Sequence, residues 1–184
     1  MSRAALVLLS CSTLMGCILT RSPTYDAPAN TPPVVLEDPD FPMNRFVNVY
    51  LEELAAAGET QVRFAAQVRD PDIDDELVGL VFLDRNPNST TNVPIIENID
   101  IPATGEADRD DVSFAVDVGE LDPGAACRVL ELHVSRGFVG FANPMPAPDV
   151  EHPEGPIDLG RGIWFLRVLR NREDTQALLG CDGS

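Results

Sequence analysis

Thr60-Gln61-Val62-Arg63-Phe64-Ala65-Ala66-Gln67-Val68-Arg69-Asp70-Pro71-Asp72 carries the clearest pattern in the chain. Val62, Phe64, Ala66 and Val68 fall on one side, and Gln61, Arg63, Gln67 and Arg69 on the other. That period of two belongs to a strand with one face in a core and one in water. The pattern stops in Asp70-Pro71-Asp72-Ile73-Asp74-Asp75, whose proline and aspartates favour a turn. Leu77 to Leu83 follows as a nearly continuous apolar run, suited to a central strand.

The rest of the chain repeats this alternation of strand and turn. Asp111 to Val118 puts Val112, Phe114, Val116 and Val118 inward, and Asp122-Pro123-Gly124 turns the chain. Val129 to Val134 sets Leu130, Leu132 and Val134 on one face, and Ile163 to Leu169 holds the single tryptophan, Trp164. Weaker strands are expected at Val34–Leu36, Phe46–Leu51 and Ile95–Ile101, with a short helical turn at Glu52–Ala57. Asn143 to Pro156 has five prolines in fourteen residues, a stiff loop of a kind that is often functional in a compact domain. Short strands separated by turns predict an all-β fold, a β-sandwich.

The order resembles the immunoglobulin-like domains of bacterial surface proteins, including the PKD and cadherin-like types. The resemblance rests on Asn30-Thr31-Pro32-Pro33-Val34-Val35 as a lead-in, on Gly58 before the strand ending Val68-Arg69-Asp70-Pro71-Asp72, and on Leu121-Asp122-Pro123-Gly124 before a penultimate strand. Two positions depart from it. Ile73 replaces the usual glycine of the aspartate-rich turn, and the aromatic often found early in the penultimate strand is missing near Cys127. The resemblance implies an antiparallel sandwich of about seven strands, with the first strand starting at the pole of the aspartate-rich turn. Two further acidic loops would share that pole: Glu106, Asp108, Asp110 and Asp111 in one, Asp149, Glu151, Glu154 and Asp158 in the other. It also places Cys127 and Cys181 at one pole, where an oxidising compartment permits a disulfide; two unpaired thiols are the alternative.

The start of the chain reads differently. Met1-Ser2-Arg3 is a positive n-region, and Ala4 to Met15 is an apolar stretch of signal length, too short for a membrane span. Leu14-Met15-Gly16-Cys17 resembles the lipobox of bacterial lipoproteins. That resemblance implies cleavage after Gly16 and a Cys17 carrying diacylglycerol and an amide-linked acyl chain such as palmitate. Each buried CH₂ contributes ~0.8 kcal/mol, so several chains anchor a protein without a transmembrane helix. Ile18 stands where an inner-membrane retention aspartate would stand, which points to the outer membrane. The expected organisation is a signal peptide at 1–16, a lipidated Pro-rich and disordered tether at 17–33, and the immunoglobulin-like domain at 34–184.

Charge narrows the partners. The chain has 13 Arg, no Lys and 30 acids, a formal charge of −17. Without lysine there is no phosphate-loop lysine and no Schiff base. So negative a chain is a poor match for nucleic acid or an anionic bilayer surface, both of which need basic patches. It suits a cation or a basic protein surface. Asp70, Asp72, Asp74 and Asp75 have the alternating oxygen spacing of calcium sites, although charge runs of this kind are usually solvated loops. Glu131, His133 and Ser135 share one strand face but lack the geometry of an activated nucleophile, and the expectation for them is a polar outer face. His152 is a lone loop histidine. Arg161, Arg167, Arg170 and Arg172 form the main basic concentration, expected to pair with the abundant acids. The sequence thus predicts a non-enzymatic envelope lipoprotein that contacts an envelope protein partner. The alternative is a calcium-dependent adhesion or glycan-binding domain using the acidic loops.

Overall fold

The alternating stretch forms β3 (Gln61–Arg69), and the computed structural model builds the domain around it. The structure describes residues 30–43, 46–109, 111–121, 127–140, 142–148 and 157–174. Two strands flank β3, both antiparallel to it: β1 (Val34–Glu37) and β6 (Val112–Asp117). A second, five-stranded sheet runs in the order β2 (Phe46–Tyr50), β10 (Gly160–Leu169), β7 (Cys127–Ser135), β4 (Leu77–Leu83), β5 (Ile96–Ile101). β8 (Phe138–Val139) and β9 (Met145–Pro146) make a small hairpin within the long β7–β10 connection.

The two sheets close on a shared core. Phe64, Ala66 and Val68 of β3 meet Leu130, Leu132 and Val134 of β7 and Trp164, Leu166 and Val168 of β10, all 2% exposed or less. Aromatic rings tie the layers together: Trp164 lies 6.0 Å from Phe64 and 5.6 Å edge-on to Phe114. Each such ring pair contributes roughly 0.5–1.5 kcal/mol beyond the area it buries. The indole N–H of Trp164 would be an unmet donor in this core, and it is satisfied by donating to Phe41 O at 3.0 Å.

The start of the domain is shared between the sheets. β1 pairs with the second half of β3, from Val34↔Arg69 to Glu37↔Ala66. The chain then crosses over, and β2 pairs in parallel with β10, from Phe46↔Phe165 to Tyr50↔Leu169. The helical turn expected at Glu52–Ala57 is α1 (Leu51–Ala57), ended by Gly58 at φ 74°, a left-handed stop that glycine adopts at least cost. The three weaker strand expectations all form, as β1, β2 and β5.

The last residues of the expected tether already belong to the domain. Asn30 is 5% exposed, Thr31 N donates to Asp72 Oδ2 at 2.7 Å, and Pro33 packs against Gly160 so closely that a Cβ there would lie 2.6 Å from Pro33 O. Folding sets in by Asn30, ahead of the boundary read from the prolines, because Thr31 is bonded to the aspartate-rich turn and Pro33 packs on β10. Cys127 opens β7 and is not a free thiol. Cys17 and Cys181 lie outside the described residues.

One expectation is corrected. Glu131, His133 and Ser135 point away from the inter-sheet core but are 4%, 4% and 0% exposed, so they do not form a polar outer face. Their neighbours across the ladder, Phe82 opposite Glu131 and Leu80 opposite His133, are also buried and point the same way. The outward side of β4 and β7 is therefore a second buried layer. The first part of the β7–β10 connection, as far as it is described, reaches from one end of this sheet to the other. It leaves β7 at Arg136, and at Asn143 it accepts a hydrogen bond (3.2 Å) from Asn92 Nδ2 in the β4–β5 loop at the far end.

Candidate functional site

Three connections meet at one end of the sandwich. β4 begins beside the end of β5 (Leu77↔Ile101) and the end of β7 (Val78↔Ser135), and β1 begins beside the end of β3 (Val34↔Arg69). The segments 70–76 and 102–109, and the two ends of the β7–β10 connection at Arg136 and Asp158, thus share the pole at which the chain enters the domain. Asp110 and residues 149–156, which include Asp149, Glu151, His152 and Glu154, lie outside the described residues.

The four candidate calcium ligands are not brought together around a vacant centre. The space between the first two loops holds the guanidinium of Arg109, whose side chain is 0% exposed. Arg109 Nη2 donates to Asp70 Oδ2 at 3.0 Å and to Asp72 O at 2.8 Å, and Nη1 donates to Ile73 O at 3.1 Å. One carboxylate and two carbonyls are oxygen donors of the kind a calcium ion takes from a loop, and here they serve a planar, permanently charged cation. Backbone bonds hold the two loops in register: Asp70 N to Ala107 O at 2.7 Å and Arg109 N to Val68 O at 2.8 Å.

The other three aspartates diverge. Asp72 accepts from Thr31 N, Asp74 is exposed, and Asp75 lies 3.6 Å from Arg136. Burial pushes the Asp70 carboxyl above its ordinary range, opposed by the Asp72 backbone N–H and by Arg109. Burial likewise raises Asp75, with Arg136 working against it. At the rim, the hydrogen bond from Arg69 holds Asp108 low. Among the described residues, no three His, Cys, Asp or Glu side chains converge as a metal centre needs.

The second candidate is the buried polar row on β7. His133 Nε2 and Glu131 Oε2 are 2.9 Å apart, and Arg161 of β10 donates to the same oxygen from Nε at 3.1 Å. The Phe82 ring lies 4.9 Å from the imidazole. Burial pulls the His133 pKa below its ordinary value, although the Glu131 carboxylate opposes it. For Glu131, burial acts upward but Arg161 and His133 outweigh it and leave the carboxyl low. Ser135 Oγ donates to Gly137 O at 3.1 Å and lies 3.3 Å from Asp158 Oδ2, which also accepts from Arg136 N at 3.0 Å. Among the described residues no hydrogen bond joins Ser135 to His133. The row ties β7 to β10 and to the end of the long connection.

Two features escaped the sequence reading. Arg109 sits inside Glu106-Ala107-Asp108-Arg109-Asp110-Asp111. A single cation in an acidic run is the signal that it has a specific carboxylate to meet. The burial of Glu131 and His133 was foreshadowed by Leu80 and Phe82, which put large apolar groups on the outward side of β4. Compared with protein-family models, curated proteins and solved structures, the chain matches none.

Proposed function

We propose that the chain is a lipid-anchored cell-envelope protein, held at Cys17, whose immunoglobulin-like β-sandwich serves as an interaction or accessory module for an envelope protein partner. The lipobox Leu14-Met15-Gly16-Cys17 supports the anchor. The strand order supports the fold reading: a first strand shared between two antiparallel sheets, with β2 running parallel to β10, is an arrangement immunoglobulin-like domains use. A Cys127–Cys181 disulfide belongs to the same proposal. It would close a loop worth about 4 kcal/mol in the chain-entropy treatment.

The observation that carries the reading is where the chain enters the domain. β1 starts at the acidic pole, and Thr31 is tied to Asp72 there. A lipidated N-terminus therefore sets the acidic loops toward the membrane and leaves the opposite pole, with α1 and the end of β10, facing outward.

Two experiments test it. Metabolic labelling with palmitate in a Gram-negative host is expected to mark the full chain and to fail in Cys17→Ser; label retained in that variant removes the anchor. Cross-linking in intact envelopes is expected to join the domain to a discrete partner, and the absence of any adduct would remove the interaction role.

The calcium-dependent adhesion or glycan-binding alternative draws on the described acids at this pole, Asp70, Asp72, Asp75, Asp108 and Asp158. The Arg109 guanidinium among them weighs against it.

A further inference from the structure

The divided first strand leaves a gap. β1 covers β3 only over Ala66–Arg69, and on that side Gln61–Ala65 have no strand partner among the described residues. Across the gap β2 pairs, among the described residues, with β10 alone, so its outer edge is without a strand partner there too. Between these edges lies a cavity of about 180 Å³ lined by Val47, Val49, Leu54 and Val62, with Asn48, Tyr50 and Glu53 completing its wall. An engineered apolar cavity of about 150 Å³ admits a benzene-sized group, so this one has room for a large apolar side chain. Leu54 and Glu53 belong to α1, which roofs one end of the groove.

We propose that this groove receives an extended segment of a partner protein, which adds as a strand beside Gln61–Ala65 in line with β1 and seats an apolar side chain among Val47, Val49, Leu54 and Val62. Strand addition takes its affinity from main-chain hydrogen bonds and its specificity from pockets for alternate side chains, and the groove offers both. Charge selects the occupant. The chain carries a formal −17; Glu53, on the groove's wall, is paired with Arg172, and Glu52 in α1 and Glu59 just after it add negative charge beside the groove. The segment is therefore apolar at alternate positions and flanked by arginine or lysine. An acidic strand meets like charge at the mouth, and a neutral one gains no attraction there. The groove lies at the pole opposite the anchor, within reach of a partner that faces the exposed side of the domain. This inference rests on the interaction-module reading above and specifies its surface and ligand class.

The test is selection from a random-peptide phage library on the full chain. Enriched peptides are expected to alternate apolar residues and to carry basic ones. Their amide-exchange signature is increased protection at Gln61–Ala65. Val47→Trp, which fills the cavity, should weaken binding about tenfold or more. Leu54→Phe serves the same purpose if Val47→Trp does not fold. Enriched peptides that bind the filled variants equally well overturn the groove but leave the interaction role standing. No enrichment, or a concentration-dependent dimer that protects the same amides, also overturns the partner-strand proposal; envelope cross-linking then decides the broader reading by itself.

Discussion

Replacing Arg109 with methionine removes the cation between the first two acidic loops and preserves much of its aliphatic volume. Asp70, whose side chain is 2% exposed, keeps the 3.1 Å hydrogen bond from Asp72 N but loses its counter-charge; the Ile73 carbonyl loses its Arg109 donor, and the Asp72 carbonyl keeps only the bond from Asp75 N. Breaking one side of a buried pair costs about 3–5 kcal/mol, because the surviving charge remains out of water. At about 2–4 °C per kcal/mol for a domain of this size, Tm should fall by roughly 6–20 °C. Thermal and urea unfolding at pH 7 measure it, followed by the same pair of proteins at lower pH. Burial already raises Asp70, so the folded state takes up that proton more readily than the unfolded chain. Loss of Arg109 raises it further, and protonation then removes the buried charge. The deficit of Arg109→Met against the wild type should shrink as pH falls through that raised pKa. Adding Asp70→Asn should recover part of the lost stability. A deficit under about 1 kcal/mol, or one that grows on acidification, would refute the view of Arg109 as a buried, charge-bearing clasp.

The remaining predictions concern three other places. Burial holds the His133 pKa below its ordinary value of about 6.5, so the unfolded chain binds the proton first and stability should decline as pH falls below about 6.5; His133→Gln should flatten that decline, read as wild type minus variant because Asp70 and Asp75 act in the opposite sense. Gly160→Ala should cost about 1–3 kcal/mol in urea unfolding, since its methyl meets the Pro33 backbone at 2.6 Å. Gly162→Ala should cost less, because the groups it meets at 2.9 Å are the side chains of Met43 and Val35; the reverse ranking would contradict the close approach of the 30–33 segment. Millimolar calcium should leave Tm of the wild type unchanged, and a shift of several degrees reversed by EDTA would instead return the acidic pole to the adhesion reading.

The strands were legible because alternation is a local property. Val62, Phe64, Ala66 and Val68 announce a half-buried strand without knowledge of any partner, and all four face the core. The acidic turn after β3 and the brief helix before it were legible for the same reason. What stayed hidden depends on residues distant in sequence. Arg109 reaches Asp70 across 39 positions, and the outward face of β7 is buried beneath chain whose own residues show no period. His133 looked like a surface histidine because strand periodicity assigns it a side of the sheet and is silent on whether that side is covered. The groove beside β3 was invisible for another reason: it arises where β1 stops pairing and the chain changes sheets, and no residue type marks that crossing.

The attachment of β1 has a mechanical consequence. β1 and β3 are antiparallel, and the chain ahead of Val34 leaves from the pole where β3 ends. Tension applied through residues before Asn30, and resisted at the opposite pole, runs along the strand axis. It loads the β1–β3 bonds together in shear and does not unzip them one at a time. The Thr31–Asp72 bond and the contact of Pro33 with Gly160 lie on the same line of force and take up load before β1 does. A domain stretched between a membrane and a partner would yield first at these short links. That would lengthen the connection by a few residues while the sandwich behind β3 stayed closed.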